Sequence, residues 1–412
     1  MTHPEVGWRC VVCRTTVDIA EPFPWRCPRS TPDDRRHVLR FVDQRPPAPP
    51  VDDPDPFVRY GPRLAWWASA TANGLTDRDC IALTRAVVPD ATVTPFGRSD
   101  LLTDELGTEV WVKDETGNVA GSHKFRHLTT ILLQLLAAEQ LGHLADRPPL
   151  AIASCGNAAL AAATLAARVD WPIDVYVPEW MDDAFGVRLD ELQARVHRCP
   201  RRSDDPPGDP AVHRFRAAVA AGAVPFSVQG PENALCLDGG RTLGWEIADA
   251  ASDAGVGLDA VFVQVGGGAF ATCVADALGA GVRLHAVQTE GCAPLARTWE
   301  LVQSPGRELS GQEIAERWHE LMTPWPDPTS VADGILDDET YDGVGVIAAM
   351  RRSGGRPIVA TEEHVLAAHD LAHRAGFGAS HTGAAGLAGL LAGRRQVADG
   401  ERVAVIMSGV AR

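Results

Sequence analysis

Two lysines, Lys113 and Lys124, stand among 36 arginines in a chain of 412 residues. Where only a positive charge was needed this sequence uses Arg, so a surviving lysine is a candidate for work that a guanidinium cannot do. Arginine stays protonated, whereas a desolvated lysine loses its proton and condenses with an aldehyde to form a Schiff base. Lys124 sits in Gly121-Ser122-His123-Lys124, just ahead of a helix-like stretch, and is the candidate covalent cofactor anchor. A composition that thins out lysine everywhere is the competing explanation.

Two loops supply complementary chemistry. Gly266-Gly267-Gly268-Ala269 lies between the strand-like Ala260-Val261-Phe262-Val263-Gln264-Val265 and the helix-like run from Phe270 to Leu278. Backbone N–H groups and a positive helix end gathered there suit a phosphate, because glycine lets the backbone approach the oxygens. A tight packing turn is the alternative, and neither the P-loop nor the dinucleotide glycine spacing is met. Ser154-Cys155-Gly156-Asn157 has the same place after the strand-like Leu150-Ala151-Ile152-Ala153 and before the helical Ala158 to Val169. Its N–H groups suit a substrate carboxylate and the Asn157 amide a phenolate oxygen, while an ordinary helix cap by Ser154 or Asn157 explains the same residues. A helix N-terminus lowers a thiol pKa, yet a buried inert thiol is the commoner fate of a residue such as Cys155. An aldehyde anchor, a phosphate cradle and a carboxylate cradle together describe a site for pyridoxal phosphate.

The elements that must position these groups alternate short apolar runs with Ala-rich helical stretches, the pattern of a parallel sheet wrapped by helices. Val110-Trp111-Val112 and Val403-Ala404-Val405-Ile406-Met407 read as further strands, and Lys124 to Leu141 as a helix. The net charge of −16 argues against a nucleic-acid partner. There is no apolar run of membrane-spanning length, and Pro4, Glu5 and Arg9 replace the apolar core of a signal peptide, so the expected location is the cytoplasm. Nine scattered cysteines suit reduced thiols.

Residues 1–45 differ in texture. Cys10-Val11-Val12-Cys13 and Cys27-Pro28-Arg29-Ser30 look like a zinc ribbon whose second knuckle has lost its last cysteine. Cys10, Cys13 and Cys27 are candidate metal ligands, with His37 or water needed to complete a tetrahedral site. A ribbon folded around Trp8 and Trp25 without metal is the alternative. Residues 46–57, rich in Pro and Asp, read as a linker.

In order, Thr94-Pro95-Phe96, Lys113-Asp114-Glu115, Gly121 to Lys124, Ser154 to Asn157, Gly266 to Ala269, Gly383-Ala384-Ala385 and Ser408-Gly409 resemble the fold type II family of pyridoxal-phosphate enzymes. That family includes threonine synthase, threonine and serine dehydratases and the tryptophan synthase β chain. The resemblance implies an α/β architecture of two doubly wound domains with the cofactor between them. The large domain would comprise 58–145 and 224–412, and the small substrate-closing domain 146–223. It also implies a homodimer. Lys124 would be the Schiff-base lysine, His123 would lie beside the cofactor, and Asn157 would meet its 3′ oxygen. Gly266, Gly267, Gly268 and Ala269 would hold the phosphate, Ser408 the pyridine nitrogen, and Ser154, Cys155, Gly156 and Asn157 the substrate. The implied activity is β-elimination of the dehydratase type or β-replacement on a hydroxy or O-activated amino acid. Threonine-synthase-like β,γ-replacement and a non-catalytic binding protein are the alternatives. His381-Thr382 departs from the glutamate that relatives often carry before Gly-Ala-Ala.

Overall fold

The computed structural model describes residues 5–411 except 33, 207 and 304–308. Three sheets organise the chain. At the N-terminus β1 (Val6–Cys10) pairs antiparallel with both β2 (Thr16–Asp18) and β3 (Leu39–Asp43). Trp8 and Cys10 are buried there, as are Leu39 and Cys27, which gives this small module a core continuous with that of the main body.

The largest sheet has the order β12-β11-β10-β13-β5-β4, built from β4 (Phe96–Arg98), β5 (Glu109–Asp114), β10 (Ala260–Gln264), β11 (Arg283–Thr289), β12 (Arg356–Ala360) and β13 (Arg402–Met407). All neighbours run parallel except β4, which is antiparallel to β5. The parallel pattern read from the sequence holds for the other five strands, and the antiparallel β4 is added at this edge. The link from β4 to β5 holds only the short helix Asp100–Leu106, too little chain for a crossover that returns a parallel neighbour. A second, fully parallel sheet of order β8-β7-β6-β9 spans β6 (Leu150–Ala153), β7 (Ile173–Pro178), β8 (Arg195–Cys199) and β9 (Val224–Pro225).

The helix Lys124–Gln140 is among the most deeply buried elements: from Phe125 to Ala138 every residue is buried. It crosses the helix Cys236–Asp253 at very short range, because a Cβ on Gly239 would lie 2.0 Å from the Arg126 carbonyl oxygen. Glycine inside a helix costs about 1 kcal/mol against alanine, and here the close crossing offsets it. No helix among the described residues is long and apolar enough to cross a membrane.

Candidate active site

Four parallel strands end on one region, as ligand-bearing loops of open α/β sheets do. β5 leads to Lys124, β6 to the Ser154–Asn157 turn, β10 to the glycine loop and β13 to Ser408. The first and last of these are tied together by backbone. His123 N–H donates to the Ser408 carbonyl at 3.0 Å and Val410 N–H to that of Gly121 at 2.9 Å. The Asn157 side chain comes against the same corner, since a Cβ on Gly409 would stand 2.6 Å from its Nδ2. Lys124, His123, Asn157 and Ser408 are thus brought together.

Lys124 is the first residue of its helix and its side chain is half-buried. Among the described residues its ammonium has no hydrogen-bond or ion-pair partner. Burial pulls its pKa below the ordinary lysine value, opposed by the charge of Asp337. Lys113, by contrast, is fully buried and paired to Glu246, and its Nζ also donates to the Thr94 carbonyl at 2.6 Å. The two lysines divide into one amine held free and one locked in structure.

The lock has wider reach. Arg126, on the first turn after Lys124, donates to Glu115 Oε2 at 2.8 Å and Oε1 at 2.9 Å, and to Glu246 Oε1 at 2.6 Å and Oε2 at 2.9 Å. Two cations and two carboxylates therefore neutralise one another in a dry interior, each oxygen supplied with a donor. Burial works against the Glu115 carboxylate, yet the Arg126 charge prevails and brings its pKa to about 2. This network pins the helix that carries Lys124 to β5 and to the helix Cys236–Asp253.

The glycine loop has the form of an anion cradle. Gly268 has φ +92°, which only glycine adopts cheaply, and caps the helix Ala269–Leu278 with no side-chain hydrogen bond. Among the described residues the first N–H groups of that helix have no side-chain cap, and the N–H of Gly267 is met by Asp337. An anion already rests there: Asp337 Oδ2 lies 2.4 Å from where a Cβ on Gly266 would be, within reach of the Gly267 N–H. Thr340, beside Gly268, is fully buried and its Oγ1 has no partner among the described residues. A cradle that accepts a carboxylate and is flanked by an unpaired hydroxyl fits a phosphate group.

Ser408 is buried, and its Oγ accepts a hydrogen bond from Gln264 Nε2 at 2.6 Å. With one lone pair so engaged, the hydroxyl proton is left to donate to an acceptor such as an unprotonated pyridine nitrogen. Sequence reasoning missed Gln264, although its place at the end of β10 was a signal. His381 points elsewhere, stacking on His369 at 4.0 Å between ring centroids. Thr382 Oγ1 instead receives the Gly334 N–H at 2.9 Å. His123 stacks on Phe270 at 4.0 Å and its Nδ1 meets the Ser408 carbonyl at 3.0 Å. Burial, helped by the Lys124 charge, keeps its imidazole neutral.

Neither Ser154 nor Asn157 caps the following helix. Gly156 is the N-cap residue, without a side-chain bond, and Ser154 Oγ accepts only the Gly156 N–H at 3.3 Å. The competing cap explanation falls, and the turn keeps donors for a ligand. Burial pushes the Cys155 thiol up to about 11, which makes it a poor nucleophile. In the N-terminal module Cys10, Cys13, Cys27 and His37 bring their ligand atoms within 4.8 Å of one another. His37 presents Nδ1 to Cys10 Sγ at 3.4 Å while its Nε2 faces Asp34 at 3.3 Å, the arrangement in which a carboxylate orients a metal-binding imidazole.

Known proteins resemble this chain. The family profile described as "Pyridoxal-phosphate dependent enzyme" matches residues 87–409. The threonine synthase of Methanosarcina acetivorans is 28% identical over 312 residues, which cover 72% of this chain and 68% of that protein. The threonine synthase of Mycobacterium leprae is 25% identical over 309 residues, 72% of this chain and 75% of its own length. Among solved structures, the T.th. threonine deaminase superposes with a TM-score of 0.61 at 24% identity, covering 82% of this chain and 99% of that one. Maize serine racemase gives a TM-score of 0.61 at 18% identity, covering 81% and 92%. At these identities the two structures speak for the fold alone.

Proposed function

Because the chain belongs to the pyridoxal-phosphate-dependent enzyme family, we propose that it catalyses β-elimination or β-replacement on a hydroxy or O-activated amino acid, with Lys124 as the covalent anchor. The observation that carries this reading is the Lys124 amine, half-buried and unpaired where four strand ends meet. Bound pyridoxal phosphate supplies the electron sink. The rest falls to the chain's own residues. Gly266 to Ala269 would hold the phosphate through backbone N–H groups, and Asn157 would meet the ring's 3′ oxygen. Ser408, whose oxygen already accepts from Gln264, would donate a hydrogen bond to the ring nitrogen while keeping its own proton, so that nitrogen would stay uncharged. The uncapped turn Ser154 to Asn157 binds the substrate carboxylate. The Lys124 amine, set free once the substrate's own amine has taken its place and with its charged form disfavoured by burial, would take the Cα proton.

The same reading divides the body into a large part, 58–145 with 224–412, and a closing part, 146–223, in a homodimer. It also places zinc on Cys10, Cys13, Cys27 and His37, supported by the mutual distances of their ligand atoms. The test is spectroscopic and kinetic. Wild type mixed with the cofactor should gain the visible absorbance of an amine-linked pyridoxal and release pyruvate or 2-oxobutyrate from serine or threonine analogues. Lys124→Ala should lose the adduct, as read by mass spectrometry after borohydride reduction. An adduct at another residue, or none in wild type, would refute the assignment.

A further inference from the structure

We propose that Asp337 is a ligand of the cofactor phosphate, entering the contact as a neutral carboxylic acid that donates a hydrogen bond, so that cofactor binding takes up a proton from solvent. The inference rests on the cofactor reading above and adds a side chain to a cradle otherwise built from backbone. Asp337 lies against the first two residues of that cradle. An added Cβ on Gly266 would collide with its Oδ2, and one on Gly267 would stand 3.6 Å from the same atom. The Gly267 N–H, a donor that a phosphate would use, is within its reach.

The chain around Asp337 is held in place. Its carbonyl accepts from the Cys292 thiol at 3.3 Å, that of Asp338 from the Trp325 N–H at 2.8 Å, and the Asp342 N–H donates to the Gly267 carbonyl at 2.7 Å. A phosphate seated on the Gly267 N–H therefore meets the Asp337 carboxyl group. Two anions in contact repel strongly in a partly desolvated site, whereas one proton between them turns the contact into a charge-assisted hydrogen bond. The surroundings favour that proton. Burial raises the Asp337 pKa to about 6. Lys124, at the head of its helix, opposes the rise with its charge, while Asp338 and Asp209, the latter at the N-cap of the helix Pro210–Ala220, add to it. Tyr341 and Cys292 also feel the Asp337 charge, and burial holds both in their neutral forms. A phosphate brought onto the loop adds negative charge beside the carboxyl and lifts it further. The group is neutral below about pH 6 and ionised above it, so cofactor affinity is full on the acid side and falls as pH rises, by about tenfold per pH unit for one bound proton.

The test measures dissociation constants of pyridoxal 5′-phosphate for the full chain, read from cofactor absorbance across a pH series, in wild type, Asp337→Asn and Asp337→Ala. Ionisations of Lys124 and of the phosphate itself are common to all three proteins and cancel in the ratios. The wild-type constant divided by that of either variant should rise about tenfold per pH unit on the alkaline side. Calorimetry in two buffers of different ionisation enthalpy should show wild type taking up about one proton more than either variant there. Asp337→Asn keeps an N–H donor and should bind about tenfold tighter than Asp337→Ala, the scale of one hydrogen bond to a charged group. Circular dichroism of both variants should match wild type. A ratio that stays flat with pH, or equal binding by the two variants, overturns the proposal. Failure of wild type to take up the cofactor at all overturns the parent reading instead, and with it this one.

Discussion

The two lysines show how one residue type can answer two different physical demands. Lys124 is an amine kept free of partners, and Lys113 is half of a buried charge balance completed by Glu246, Arg126 and Glu115. Removing one member leaves its partners charged in a dry interior, which costs more than the pair ever contributed. Arg126→Met should therefore destabilise the protein by about 3–5 kcal/mol in urea unfolding. The same variant carries a pH signature. The Glu115 pKa is depressed to about 2 in the folded protein, so its stabilisation is complete above the unfolded carboxylate value and is lost as pH falls through the folded one. Wild type should weaken steeply in that acid window, and Arg126→Met should show a flatter acid limb. Equal acid limbs in the two proteins would show that Arg126 does not hold the Glu115 proton off. None of this was legible beforehand, because Thr94, Glu115, Arg126 and Glu246 are distant in sequence and nothing local marks them as one group.

At the scale of elements, period and punctuation in the sequence located the strands at Val110, Leu150, Ala260 and Val403 and the helices that follow Lys124, Ser154 and Gly268. What escaped was how closely they pack. The helix Cys236–Asp253 carries Gly239, Gly240 and Gly244, which by propensity argue against a helix. Their cause is tertiary. Added Cβ atoms would meet the Arg126 carbonyl oxygen at 2.0 Å, the His127 ring at 2.4 Å and Ala277 Cβ at 2.6 Å, so one helix is squeezed between two others. Gly239→Ala should cost about 1–3 kcal/mol in unfolding free energy, despite alanine's better helix propensity, because it overpacks the contact with the Lys124 helix. A stabilised variant would mean that the crossing yields easily. The antiparallel β4 edge was equally hidden, since its direction is set by connection length rather than by the pattern of its own three residues.

Across the whole molecule, the N-terminal module is welded to the body rather than tethered to it. Arg26 and Arg35 from the module and Arg216 from the helix Pro210–Ala220 all converge on the buried Glu232, and the Ala234 N–H donates to the Trp25 carbonyl at 2.8 Å. Gln134, on the helix that begins at Lys124, donates to the Pro22 carbonyl at 2.8 Å. The incomplete cysteine knuckle gave only three thiolates in the sequence, with His37 or water named to complete the site; the fold brings His37, 10 residues after Cys27, to the three thiols. If zinc binds this set, its binding free energy becomes folding free energy of the module, and the shared contacts pass the loss on to the body. Purified wild type should then contain about one zinc per chain, the stoichiometry of one four-ligand site, by atomic emission. A strong chelator should lower its melting temperature in one concerted transition. Cys10→Ser should lack the metal, melt at the lower temperature and no longer respond to chelator. Equal zinc content in the variant, or a chelator effect that survives the substitution, would place the metal elsewhere and leave the ribbon folded by Trp8 and its neighbours alone.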